Sequence, residues 1–250
     1  PRAIDAAFRL YLLPQGIFSV AIATVLFPAI SRLAARDDVE GMRTTLVDGL
    51  RQIFFMLLPA SAFLLVLAVP TVRLVYERGA FDAASTDLTA TALTYFAIGL
   101  AFNGASLLVI RAFFSMQMPV VATKVAALGV VLNVILDAAF YKPLGTGGIP
   151  LSTSISSIVT FLLLFWLLER ELGGLHRDWL IHGVAGLIVS NHGGRTLDAA
   201  LGRSTIAQIV TMSFTLAASA AGVLATAFAL DMHELKALAQ LRRPAGGSLQ

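Results

Sequence analysis

Arg9 heads the first long apolar run of the chain, five residues before Pro14. A guanidinium in that setting offers a planar fork of donors that fits a phosphate inside a membrane cavity. An arginine at the end of an apolar run can equally extend its head to the lipid surface, and spacing alone leaves both readings open. Asn133 and Asp137 lie four residues apart, hence on one face of a helix. An ionisable group within a bilayer costs about 2.5–3.5 kcal/mol on insertion scales, so that face should point into a bundle. Interhelical hydrogen bonding is the leading reading for the pair, with a proton or ion site as the alternative. Asn103, beside Gly104 halfway along another apolar run, carries the same structural reading. Lys124 opens the run that holds Asn133 but falls nearly opposite it on the helical wheel.

Other chemistries are excluded by what the sequence lacks. There is no cysteine, so disulfides, thiolate metal sites and thiol nucleophiles are absent. Carboxylates paired at hydrolase-like spacing, His-Glu-x-x-His, the P-loop and Gly-x-Ser-x-Gly do not occur. Gly145-Thr146-Gly147-Gly148 reads as a turn, because no strand precedes it to make a phosphate cradle. The net charge of +3 comes from Lys and Arg scattered between apolar runs, with no basic stripe for nucleic acid.

The elements that position these groups are set by hydrophobicity. Of 250 residues, 57% are hydrophobic and 13% charged, and the mean hydropathy is +0.82. Soluble domains carry roughly 25% charged residues, so this surface is too poor in ions for water. A hydrocarbon core of ~30 Å needs ~20 mainly apolar helical residues. Six stretches qualify: Phe8–Ala35, Ile53–Val75, Leu88–Phe114, Pro119–Tyr141, Ile149–Leu168 and Ile206–Leu230. A seventh, weak stretch over 179–199 is broken at Ser190-Asn191-His192. The expectation is an all-α polytopic bundle of about seven spans over residues 1–241, followed by a polar tail over 242–250. Pro14, Pro28, Pro59 and Pro70 fall inside runs, which spanning helices tolerate because neighbours re-satisfy the freed carbonyls. Short polar loops follow, and Tyr76, Tyr141, Trp166 and Trp179 lie near run ends, as an interfacial aromatic belt requires. Lys and Arg on alternate sides favour a cytoplasmic C-terminus and an external N-terminus. The chain opens without Met or a signal-peptide layout, and is expected to be part of a larger protein.

The first run reads Arg9-Leu10, then Pro14-Gln15-Gly16, then Val20-Ala21-Ile22-Ala23-Thr24-Val25-Leu26-Phe27-Pro28-Ala29-Ile30-Ser31. Together with Arg78-Gly79-Ala80-Phe81, Arg111-Ala112-Phe113-Phe114-Ser115-Met116-Gln117 and Gly147-Gly148-Ile149-Pro150-Leu151-Ser152-Thr153-Ser154, it resembles the MviN/MurJ-type lipid II flippase family. The likeness covers roughly residues 1–178 and resumes over 203–243. It implies one lobe, the C-terminal one, of a flippase-like transporter of the MOP superfamily in the bacterial cytoplasmic membrane. Its partners would be a polyprenyl-diphosphate lipid substrate, membrane lipids and the missing N-terminal lobe of the same protein. Arg9 falls on an arginine proposed in that family to bind the lipid diphosphate. Met118-Pro119-Val120-Val121-Ala122-Thr123 departs from the family's Asp-Thr-x-Thr-Pro-Val, which weakens any role for that loop. An exporter of other polyprenyl-linked glycans or of drugs would share the fold.

A second, local resemblance runs over Gly183–Asp198. The string Ser190-Asn191-His192-Gly193-Gly194-Arg195 is similar to the signature of FMN-dependent α-hydroxy-acid oxidases and dehydrogenases. That likeness implies His192 as general base and Arg195 as carboxylate clamp, although Thr196 stands where a glutamine is usual. The chemistry belongs on a (β/α)₈ barrel of about 250 residues, and a base without flavin oxidises nothing. Membrane-length runs surround the string instead. The expectation is therefore a transporter without a cofactor. FMN chemistry is the lesser alternative, beside a polar loop, a broken or re-entrant helix, or a transplanted segment.

Overall fold

The structure, a computed structural model, describes residues 2–79 and 81–174. The runs at 179–199 and 206–230, with His192 and Arg195, lie outside the described residues. Among the described residues every regular element is helical. Helix α1 (Arg2–Pro14) passes through a π-helical turn (Gln15–Val20) into α2 (Ala21–Ala34), and together they make the first span. Then follow α3 (Val39–Val66), the short α4 (Ala68–Tyr76) and α5 (Ala83–Ser115). Helix α6 (Pro119–Leu144) leads through a 3₁₀ turn (Gly145–Gly147) to α7 (Gly148–Leu172). Five of these helical stretches are long and apolar enough to cross a membrane.

Local chemistry sets the ends. Asp38 caps α3 by accepting from the Gly41 backbone N–H at 2.9 Å, and Asp82 caps α5 from Ser85 at the same distance. Both satisfy donors that a helix start leaves unpaired. Pro119 opens α6, where its missing N–H costs nothing. Gly173 ends α7 with φ of 73°, a left-handed conformation that glycine adopts without strain. The π-turn follows Pro14 directly, where the helix loses a backbone donor.

Two boundaries differ from the apolar runs. Helix α3 begins at Val39, well before Ile53, because its first turns are amphipathic: Met42, Leu46, Val47 and Leu50 are buried while Glu40 is exposed. The second run is also two helices, broken at Leu67, whose φ of −108° and ψ of 25° leave the helical region three residues before Pro70.

Helix α5 is the centre of the bundle. Of its most apolar stretch 61% is buried, against 17% for the first span and 11% for α6, so those two form the periphery. Leu93, Leu100, Leu108 and Phe113 of α5 meet Leu46, Leu50 and Leu57 of α3 and Phe161 of α7 in one core. Phe54, Phe102 and Phe161 close its middle with ring centroids 5.5–5.7 Å apart. Helices α5 and α7 approach closely at Gly99, where an added Cβ would stand 2.7 Å from Ser154 Cα. The Ser154 hydroxyl donates to the Tyr95 carbonyl at 2.6 Å and accepts from the Gly99 N–H at 3.1 Å. Small residues and interhelical hydrogen bonds are what hold helices together where no hydrophobic effect acts between them.

Candidate functional site

Arg9 lies on the outer side of α1. The inner side is fixed by Ala7, Leu10 and Tyr11, all buried in the bundle. That leaves Arg9, Leu12 and Leu13 exposed, while Phe8 beside them packs on Phe96 of α5 at 5.6 Å between ring centroids. The Arg9 side chain is 72% exposed, and its Nε donates to Asp5 Oδ2 at 3.2 Å, one turn back. This i,i+4 pair, which the sequence analysis did not single out, leaves most of the guanidinium donors open.

Asn103 has a different environment. Its amide nitrogen donates to the Tyr11 hydroxyl at 2.6 Å, tying the middle of α5 to α1. On its other side α5, α6 and α7 line an open groove of about 320 Å³ that includes Asn103, Ser106, Gly129, Asn133, Ser156 and Thr160. Asn103 and Asn133 therefore face one groove from two helices. The Ser156 hydroxyl donates to the Gly129 carbonyl at 2.7 Å at its wall.

Asn133 and Asp137 share a face of α6, and the structure brings both against α7. With the amide oriented to suit its neighbours, Asn133 donates to Asp137 Oδ2 at 3.2 Å and accepts from the Thr153 N–H at 3.2 Å. Asp137 Oδ1 is buried without a hydrogen-bond donor. A carboxylate inside a span with an orphaned oxygen is a place where a positive charge would be stabilised. Arg9 does not join this cluster: it lies exposed on α1, paired with Asp5. His192 and Arg195 lie outside the described residues.

Sequence reasoning did not identify Tyr11 as a partner for Asn103, nor the groove, because helix pairing is not encoded in the period of either helix. It also passed over Arg111 as a site in its own right. The Nη1 of Arg111 donates to Thr24 Oγ1 at 3.0 Å, and its guanidinium carbon lies 5.9 Å from the Phe27 ring centre.

Comparison with known proteins places this geometry. The family described as lipid II flippase MurJ matches residues 2–195, a range that includes Ser190–Arg195. A probable lipid II flippase MurJ of Synechocystis sp. is 34% identical over 164 residues, covering 66% of this chain and 31% of that protein. The lipid II flippase MurJ of Thermosipho africanus is 32% identical over 166 residues, covering 65% and 33%. The chain thus spans about a third of the length of these curated relatives. Among solved structures, a lipid II flippase MurJ in an inward closed conformation superposes with a TM-score of 0.76 at 23% identity, over 92% of this chain and 47% of that one. That likeness carries the all-α, polytopic helical fold. Nothing in these matches supports a flavin enzyme. The chain belongs to the lipid II flippase MurJ family.

Proposed function

We propose that this chain forms one lobe of a lipid II flippase, acting with a second lobe of the same protein. The whole would move a polyprenyl-diphosphate-linked peptidoglycan precursor across the bacterial cytoplasmic membrane by alternating access. The observation that carries the reading is the position of Arg9 in a family member: a cation on the first span that the other described helices leave exposed. A guanidinium held there can meet a diphosphate bidentately, exchanging its surface pair with Asp5 for a stronger charge-assisted one. The Lys and Arg distribution supports an external N-terminus and a cytoplasmic C-terminus.

Asn133 and Asp137 are the second part of the proposal. The orphaned Asp137 Oδ1 favours an intramembrane site for a small cation or a proton, which would tie the α6–α7 packing to transport. The test of the overall reading is transport of a fluorescent lipid II analogue into proteoliposomes by the full-length protein. Its rescue of cells depleted of their own flippase is the second measurement. Transport and rescue are expected, and a full-length protein that inserts in the membrane but does neither sinks the reading.

A further inference from the structure

Arg111 sits one turn inside the end of α5, preceded by the apolar stretch Leu107-Leu108-Val109-Ile110. A cation at such a place needs a partner. Among the described residues the ion pairs belong to Arg9, Arg43, Arg51 and Arg73. Arg111 has instead a neutral hydroxyl, Thr24 Oγ1 at 3.0 Å, and the face of Phe27. One hydrogen bond of the five that a guanidinium can donate is thereby used. The ring contact and the Thr24 bond hold the head against the first span, so it is braced in place and not trailing freely toward the lipid surface.

The side on which it is braced matters. Thr24 and Phe27 are exposed on the first span, as Arg9 is. Thr24 lies about 22 Å further along the helix than Arg9 at 1.5 Å per residue. Just beyond it the Ser31 and Ser115 hydroxyls lie 3.0 Å apart, so α2 and α5 stay paired at this end. Arg32 and Arg36 follow at the same end, which the charge distribution assigns to the cytoplasmic side. Arg9 on the first span and Arg111 of α5 braced against it thus stand toward opposite ends of that span.

We propose that Arg111, braced on Thr24 and Phe27, is a second binding station for a lipid-borne phosphate, at the inner-leaflet end of the span that carries Arg9. A lipid whose phosphates begin at the cytoplasmic surface meets Arg111 first and Arg9 after crossing. This rests on the flippase reading for the identity of the cargo, but not for the phosphate chemistry, which an anionic phospholipid headgroup shares.

The experiment uses the full-length protein in detergent, with undecaprenyl diphosphate and phosphatidylglycerol as separate probes, binding read by native mass spectrometry. Arg111→Gln should weaken binding of undecaprenyl diphosphate about tenfold, the scale of one charge-assisted contact. Arg111→Lys should recover part of the loss, because charge survives and the fork does not. A loss confined to phosphatidylglycerol keeps the phosphate station and assigns it to a membrane lipid. Unchanged binding of both probes by Arg111→Gln, with an unchanged melting temperature, overturns the proposal. If Arg111→Gln does not fold, Arg111→Lys decides: a severalfold weaker affinity supports the station, and wild-type affinity for both probes overturns it. Wild-type protein that binds phosphate through Arg111 yet transports nothing would leave this site standing and remove the flippase reading.

Discussion

The amide nitrogen of Asn103 donates to the hydroxyl of Tyr11 at 2.6 Å, joining α5 to α1 at a point where Tyr11 is only 1% exposed. The ring of Tyr11 lies 5.8 Å from Phe8 and 5.4 Å from Phe96, so the hydroxyl is aimed by packing as well as by the bond. Arg9 is two residues back on the same helix. Whatever fixes the rotation of α1 at Tyr11 also fixes the direction in which Arg9 points.

Tyr11→Phe keeps the ring stack and removes the acceptor, leaving Asn103 with an unmet donor. Interhelical hydrogen bonds in membrane proteins average about 0.6 kcal/mol and reach about 1.7. A loss within that range is expected in detergent unfolding of the full-length protein. An Asn103→Leu, Tyr11→Phe double variant should lose less than the sum of the single changes, since both remove one bond. Additive losses would show that the two residues do not share it.

Arg9 should be needed for transport in a way that charge alone does not satisfy. Arg9→Ala in the full-length protein is expected to abolish rescue of flippase-depleted cells, and Arg9→Lys to rescue poorly, because the bidentate fork is lost. Asp5→Asn should be far milder, since an exposed i,i+4 pair contributes only about 0.3–0.5 kcal/mol. Normal growth with Arg9→Ala removes the residue from the binding site.

Much of the helical frame could be read from residue order. Runs of membrane length at Leu88–Phe114 and Ile149–Leu168 lie within α5 and α7, because lipid-solvated helices must be apolar along their whole crossing. The start of α3 could not be read that way, since Glu40, Arg43, Asp48 and Arg51 interrupt hydrophobicity on one face while the other packs. Four-residue spacing put Asn133 and Asp137 on one face, yet it could not name Thr153 as their neighbour on α7. Nor could it pair Tyr11 with Asn103, distant in sequence and joined only by the crossing of two helices. Pro14 announced a disturbance in the first span without specifying a π-turn.

Gly99→Ala tests the tightest helix approach. The new Cβ would meet Ser154 Cα at 2.7 Å, a backbone atom that cannot swing aside. Helices α5 and α7 must then separate, straining the Ser154 bonds to Tyr95 and Gly99. Overpacking of this kind costs about 1–3 kcal/mol, read as a lower melting temperature in detergent. An unchanged melting temperature would mean that the two helices have room to slide.

Asp137→Asn preserves shape and removes charge. If Asp137 serves only to hold Asn133, an amide can take its place and transport should survive. If it carries a cation or proton during the cycle, transport should fall at least about tenfold, or ~1.4 kcal/mol, while the melting temperature stays near wild type. Full transport by this variant would confine the α6–α7 cluster to packing.

At the head of α5, outside the membrane, the pH dependence has a definite sign. The Ser85 backbone N–H bonded to Asp82 holds its carboxyl below the ordinary value of 3.8. A group whose pKa falls on folding stabilises the folded state above its unfolded value, and that contribution disappears as pH drops through the folded value. The first turn of α5 should therefore keep its cap at neutral pH and begin to lose it below about 3.8. Amide hydrogen exchange at Ser85 and Thr86, corrected for intrinsic rates, reads this directly: protection should fall with acid in the wild type. Asp82→Asn retains an acceptor but has no proton to gain, so its protection should be flat across the same range. Equal acid sensitivity in both proteins would locate the loosening in another group.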